Sequence, residues 1–290
     1  MRPKIRTSSS ITPFQEKAEN ALDLERYDYR VDGSDVPVVF LGLYHKSDYC
    51  SFLNQRVKRY VLWSGGDIQN FKRGYLYGDG GGLRKSKLTK PFAFLWKNKV
   101  RKTEAEHFCE NDQQKRELES EGIKAIVVPA FWGNVKDYPV SFKAGKGLEV
   151  YICGHPGREK EYGIDYVTDR LAFLMSDVTF HIYGVPGWRA KTSNVRSYGV
   201  IKEKKFNEEI KGYQCFLRLN EHDGFSDVLA KSILMGQYPI TKIDYNTVLS
   251  FKDEWTLVKL LDWVKKQKNP RIESREYYLE NFNKYPWIRE

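Results

Sequence analysis

The chain has 290 residues, 41% hydrophobic and 14% aromatic, with a net charge of +10. This composition excludes an intrinsically disordered protein, and no apolar run approaches the roughly 20 residues that a bilayer crossing needs. The length suits two medium domains, and the positive charge favours a polyanionic partner, whether nucleic acid, an anionic membrane surface or a phosphate-rich small molecule.

The first 14 residues, MRPKIRTSSSITPF, are basic and Ser-rich and lack the apolar core of a secretory signal. They read as a flexible tail on a cytoplasmic protein. Cys50, Cys109, Cys153 and Cys215 form no CxxC pair and have no histidine at zinc-ligand spacing, so reduced, mostly buried thiols and no metal are expected. Residues 13–24 have weak helical character. PVVFLGLY at 37–44 is the first strand, apolar enough to be buried on both faces of a parallel sheet, and it ends in Tyr44-His45-Lys46. After a short helical stretch, the strand at 59–63 runs into Ser64-Gly65-Gly66-Asp67.

Two strands that each end in a polar loop fit a doubly wound sheet, whose ligands bind beyond the carboxyl ends of its strands. His45 and Asp67 are therefore candidate site residues, against the alternatives of an ordinary loop histidine and a simple turn. Residues 73–90, glycines around Asp79 followed by a basic cluster at 84–90, read as a surface loop or an acceptor-binding flap. Residues 91–96 read as a strand, and 102–121 as one charged, solvated helix ended by Gly122 ahead of a strand at 124–129. A linker is expected at 135–147.

The second half opens with a strand at 148–153, leading into Gly154-His155-Pro156-Gly157-Arg158-Glu159-Lys160. Arg158 and Lys160 either neutralise a bound anion or belong to a solvated loop with Glu159 and Glu161. A helix at 166–175, a strand at 178–184, a short strand at 194–200 carrying Tyr198 and a polar helix at 206–212 follow. Residues 215–219 form a buried strand, Glu221-His222-Asp223-Gly224 a polar turn, and from Ser226 the residues Val228, Leu229, Ile233 and Leu234 recur at helical spacing until Gly236 and Pro239. Such a turn aims the N–H groups of a helix start at the carboxyl edge of a sheet, where a phosphate or sugar hydroxyl is easily held. Arg218, on the strand before it, can anchor phosphate or pair with Glu221. Helices at 254–267 and 273–282 and the aromatic stretch 285–287 close the chain.

Asp223-Gly224-Phe225-Ser226, the apolar helix and Gly236-Gln237-Tyr238-Pro239-Ile240 together resemble the donor-binding segment of retaining GT-B glycosyltransferases, the glycosyl transferases group 1 and family 4-like. The resemblance implies an α/β fold of two Rossmann-like domains with a cleft between them. Residues 1–140 would form the acceptor-side domain and 141–270 the nucleotide-sugar domain, with 271–290 a C-terminal helix returning to the first. It also implies metal-independent transfer, with retention, to a hydroxyl acceptor; there is no cofactor, and a nucleotide sugar such as a UDP- or GDP-sugar is the co-substrate. On the same resemblance His45, Asp67 and Asp223 contact the sugar, while Arg158, Lys160 and Arg218, with the turn at Gly224, Phe225 and Ser226, receive the diphosphate. Tyr198 lies toward the base.

The family's second Glu, eight positions after the first acid, is Lys231 here. Where that Glu holds the nucleotide ribose, Lys231 is expected to contact donor phosphate or to pair with Asp227, one turn earlier. The basic charge extends the reading to an acceptor that is itself a polyanion, for example DNA carrying hydroxymethylated bases. Lys231 also prompts the alternative of a non-catalytic sugar-nucleotide or polyanion binder. A nicotinamide-type Rossmann enzyme is disfavoured, because no GxGxxG follows the first strand.

Overall fold

A computed structural model describes residues 1–76 and 91–288. The basic cluster at 84–90 and most of the glycine-rich segment lie outside the described residues. The described chain divides into two compact units, one drawn from Met1–Gly133, Asp223–Phe225 and Asn281–Glu290, the other from Asn134–His222 and Ser226–Glu280.

The first unit is built on β1 (Lys4–Thr7), β2 (Val38–Leu41), β3 (Arg59–Leu62), β4 (Glu106–Cys109) and β5 (Ala125–Val127), an all-parallel sheet in the order β1-β2-β3-β4-β5. In β2, Val38 and Phe40 pack into one core, and Val39 and Leu41 into another on the opposite face. All four residues of that strand are buried, which is why it reads as an unbroken apolar run. Trp287 and Tyr285 close the second core, Trp287 lying 4.6 Å from the Tyr60 ring and 5.4 Å from Phe108.

Three elements differ from the sequence expectation. The N-terminal stretch is not a free tail, because Lys4–Thr7 adds a strand parallel to β2 and Ile5 is fully buried. Residues 91–96 are not a strand. Ala93–Lys102 is a helix, in which Phe94 and Leu95 face outward while Val100 is buried; the helix formers Ala93, Leu95, Lys97, Lys99, Arg101 and Lys102 outweigh the strand preference of the aromatic residues. The charged segment 102–121 is not one helix, since β4 occupies its first part and the helix begins only at Asp112, where the Asn111 side chain accepts from Gln114 N–H at 2.9 Å. Glutamate and lysine around His107, Phe108 and Cys109 conceal a strand whose last three residues are buried.

The second unit has β6 (Leu148–Cys153), β7 (Val178–Tyr183), β8 (Val195–Gly199), β9 (Cys215–Arg218), β10 (Ile240–Thr241) and β11 (Leu249–Ser250), again all parallel, in the order β11-β10-β9-β6-β7-β8. The chain builds outward from β6 through β7 to β8, then returns to place β9 on the other side of β6. That reversal makes β6/β9 a topological switch point, and in open α/β sheets ligands bind at the carboxyl ends of strands at such a point. The first sheet, ordered as the chain runs, has no reversal.

Candidate active site

Beside the β6/β9 switch point, glycines let the loops after β6 and β7 approach closely. Gly154 N–H donates to Tyr183 O at 2.8 Å, and Gly184, at φ +83, sits so near the Gly154 carbonyl that a Cβ would collide with it. The loop after β6 then presents Arg158, which ion-pairs through two guanidinium nitrogens with Glu161, one at 2.8 Å. Tyr162 follows. Its ring centroid lies 5.4 Å from the Arg158 guanidinium and 4.9 Å from that of Arg218, at the end of β9. The structure thus gathers Arg158 and Arg218, distant in sequence, around one aromatic ring. Lys160 joins Arg158 on the wall of an open depression of about 520 Å³, which Gly157, Glu159, Glu161, Asp165 and Trp188 also line.

Ser226 precedes the Asp227–Leu234 helix as its N-cap residue, and its carbonyl accepts from Ala230 N–H at 3.0 Å. Lys231, on that helix, is 2% exposed. Its ammonium lies 2.7 Å from Asp227 and 2.9 Å from Glu203, over the Tyr138 ring at 5.5 Å. Burial works to lower its pKa, but the Asp227 and Glu203 carboxylates outweigh it and hold the ammonium above its ordinary value. The expected pairing with Asp227 is present, and Glu203, at the start of the Glu203–Ile210 helix ahead of β9, is a further partner. Tyr198 stands two strands from β6, on the edge strand β8. It stacks on Tyr183 at 4.6 Å and 9°, and its hydroxyl is 2.9 Å from His181 Nδ1.

The carboxyl edge of the first sheet gathers the other candidates. His45 is buried at the N-cap position of the Lys46–Asn54 helix, its Nε2 2.8 Å from Ser10 Oγ and its N–H donating to Asp48 at 2.9 Å. Asp67, in the first turn of the Gly66–Arg73 helix that follows the neighbouring strand β3, is fully buried. Its carboxylate accepts from Leu43, Ser64 and Ile68 N–H at 3.1, 3.0 and 2.9 Å, so it ties the loops after β2 and β3 together. Burial pushes its pKa up to about 7 even though those N–H donors favour the charged form.

Beside them the sequence reasoning missed Glu110. Its Oε2 accepts from Phe225 N–H at 2.8 Å, and burial pushes its pKa up to about 8, with the charges of Asp223 and Asp67 acting in the same direction. The tripeptide Asp223–Phe225 is held by more than this. The Asp223 carbonyl accepts from Asn111 Nδ2 at 2.9 Å and Gln114 Nε2 at 3.1 Å, and a Cβ on Gly224 would collide with Glu110 Oε2. A side chain there would have to push the Glu110 carboxylate aside. The signal that would have found Glu110 is the strand β4, since a polar residue directly after a parallel strand is a site candidate. Among the described residues no group of three His, Cys, Asp or Glu side chains is placed to hold a metal ion, and no helix is long and apolar enough to cross a membrane.

Two all-parallel α/β units of this kind give the chain the GT-B fold. Among solved structures it is similar to the lipopolysaccharide outer core galactosyltransferase WaaB in its apo form, at 12% identity and a TM-score of 0.60, over 97% of this chain and 79% of that one. It is likewise similar to HepE of Anabaena, solved in complex with UDP and glucose, at 8% identity and a TM-score of 0.54, over 97% of this chain and 99% of that one. With the pneumococcal O-GlcNAc transferase GtfA, solved in complex with UDP and GlcNAc, it shares 13% identity and a TM-score of 0.50 over 87% of its own length. The chain spans only about half of GtfA, 55%. No family model matches the chain, and no curated protein matches it in sequence.

Proposed function

We propose that the protein is a glycosyltransferase that takes a sugar from a nucleoside diphosphate donor and passes it to a hydroxyl acceptor, with retention and without a metal. The observation that carries this reading is the switch point of the second sheet, where Arg158 and Arg218 share the Tyr162 ring beside Lys160. A departing diphosphate needs fixed positive charge, and preorganised donors of this type usually supply the largest part of transition-state stabilisation. Arg158, Arg218 and Lys160 are the cations present, and the N-terminus of the Asp227–Leu234 helix adds its dipole. UDP in the GtfA and HepE structures supports a uridine donor as the first to try.

In the first unit, His45 and Asp223 are the groups assigned to sugar hydroxyls, Asp67 being the residue that fixes the loop beside His45. The acceptor is assigned as a polyanion on the net charge of +10, hydroxymethylated duplex DNA being the form to test. Its binding should weaken by orders of magnitude between about 50 and 200 mM salt if several phosphates are neutralised. Salt-insensitive or absent DNA binding returns the basic charge to solubility alone.

The reading is tested by thermal shift with a panel of UDP-, GDP- and ADP-sugars. One base should raise the melting temperature in a concentration-dependent way, and a flat response to all of them would remove the donor site. A second reading, a binder without catalysis, is favoured by Lys231, whose ammonium is committed to Asp227 and Glu203 and cannot accept hydrogen bonds from a ribose.

A further inference from the structure

The loop after β6 carries its own anion. Arg158 presents a planar fork of N–H donors, and Glu161, three residues on, fills it with both carboxylate oxygens. The two side chains are about half exposed, at 49% and 47%, so the pair lies on the wall of the depression and is not sealed into the core. Tyr162 fixes the Arg158 guanidinium from the ring side and Arg218 approaches the same ring. Glu159, the other carboxylate of the loop, is turned to a local task, accepting from Gly157 N–H at 2.9 Å.

A carboxylate and a phosphate offer a guanidinium the same pair of oxygens. A phosphate that takes the Nε–Nη2 edge of Arg158, which Glu161 holds, must therefore displace Glu161. Resting on the donor reading above, we infer that Glu161 is a built-in counter-ion that occupies the phosphate seat of Arg158 and sets the affinity for the donor diphosphate. A half-exposed pair of this kind is weak, so a ligand of higher charge replaces it at small cost. A singly charged anion has no such advantage over the resident carboxylate. Glu161 would thus keep the seat closed to monoanions and open to diphosphates, and its return to Arg158 would help free the product diphosphate.

The test is calorimetric titration of inorganic pyrophosphate, which needs no knowledge of the base, into the wild type, Glu161→Gln and Arg158→Ala, with melting curves to verify that all three fold. Glu161→Gln should bind pyrophosphate about two- to fivefold more tightly than the wild type, the gain shrinking at high salt, and Arg158→Ala should bind more weakly. Tightening on removal of a residue is not what loss of a structural contact produces. If the wild type binds and Glu161→Gln binds equally or less well, the inference is overturned and the donor reading stands. If only Glu161→Gln binds, the inference is supported in its strongest form. If neither binds, the donor reading falls and takes the inference with it.

Discussion

Replacing Glu110 with glutamine should make the protein more stable, increasingly so as pH rises. In the folded chain burial lifts this carboxyl from the ordinary 4.5 to about 8, whereas in the unfolded chain it loses its proton near the ordinary value. Between those two pH values the folded state binds more protons than the unfolded state. Stability is therefore undiminished below about pH 4.5, falls as pH climbs through the window and levels off above about 8. The window is about three and a half pH units, which at about 1.4 kcal/mol per unit sets a ceiling near 5 kcal/mol. Solvent reaching the half-buried residue reduces this, and roughly 2–3 kcal/mol is the expected size at pH 8. Glutamine is neutral at every pH and keeps an oxygen for the Phe225 N–H. Urea denaturation of the wild type and Glu110→Gln at pH 5, 6.5 and 8 measures the difference directly. The difference should be smallest at pH 5 and grow by pH 8 with the variant more stable. A pH-independent difference, or a less stable variant at pH 8, would refute the reasoning.

The other predictions concern the candidate site and its supports. Asp67→Asn should do the opposite of Glu110→Gln, because both carboxylate oxygens accept from backbone N–H groups and an amide nitrogen must face one of them; thermal melts should show a loss of roughly 1–3 kcal/mol. Lys231→Glu, which restores the carboxylate of the resembling family, should not improve donor binding, since it puts a third acid beside Asp227 and Glu203, and a destabilisation of roughly 3 kcal/mol by denaturation is expected. Arg158→Ala combined with Lys160→Ala should weaken donor binding by about 2 kcal/mol or more in calorimetry, and unchanged affinity would take both out of the site.

What the sequence made legible followed local pattern. Strand β2 stands out because all four of its residues are buried and apolar, and β3, β6, β7 and β9 because most of theirs are, as a parallel strand covered on both faces demands. The Lys231–Asp227 pair was legible because one turn of helix brings residues four apart together. β1 and β4 were hidden, since Lys4–Thr7 and Glu106–Cys109 each mix charged residues with apolar ones and owe their extended form to a neighbouring strand, a tertiary cause. Glu110 was lost with β4, having been read as part of a solvated helix. The meeting of Arg158 and Arg218 at Tyr162 depends on the sheet order, in which β9 returns to lie beside β6, and no local pattern records that reversal.

The central claim, that the site transfers sugar and does not merely hold a nucleotide, is tested most directly by following release of nucleoside diphosphate from whichever nucleotide sugar raises the melting temperature most. The account predicts protein-dependent release, accelerated by a hydroxyl acceptor and lost in the Arg158→Ala, Lys160→Ala double variant. Tight binding of the donor with no release, with or without acceptor, would contradict it and leave a nucleotide-sugar binding protein in its place.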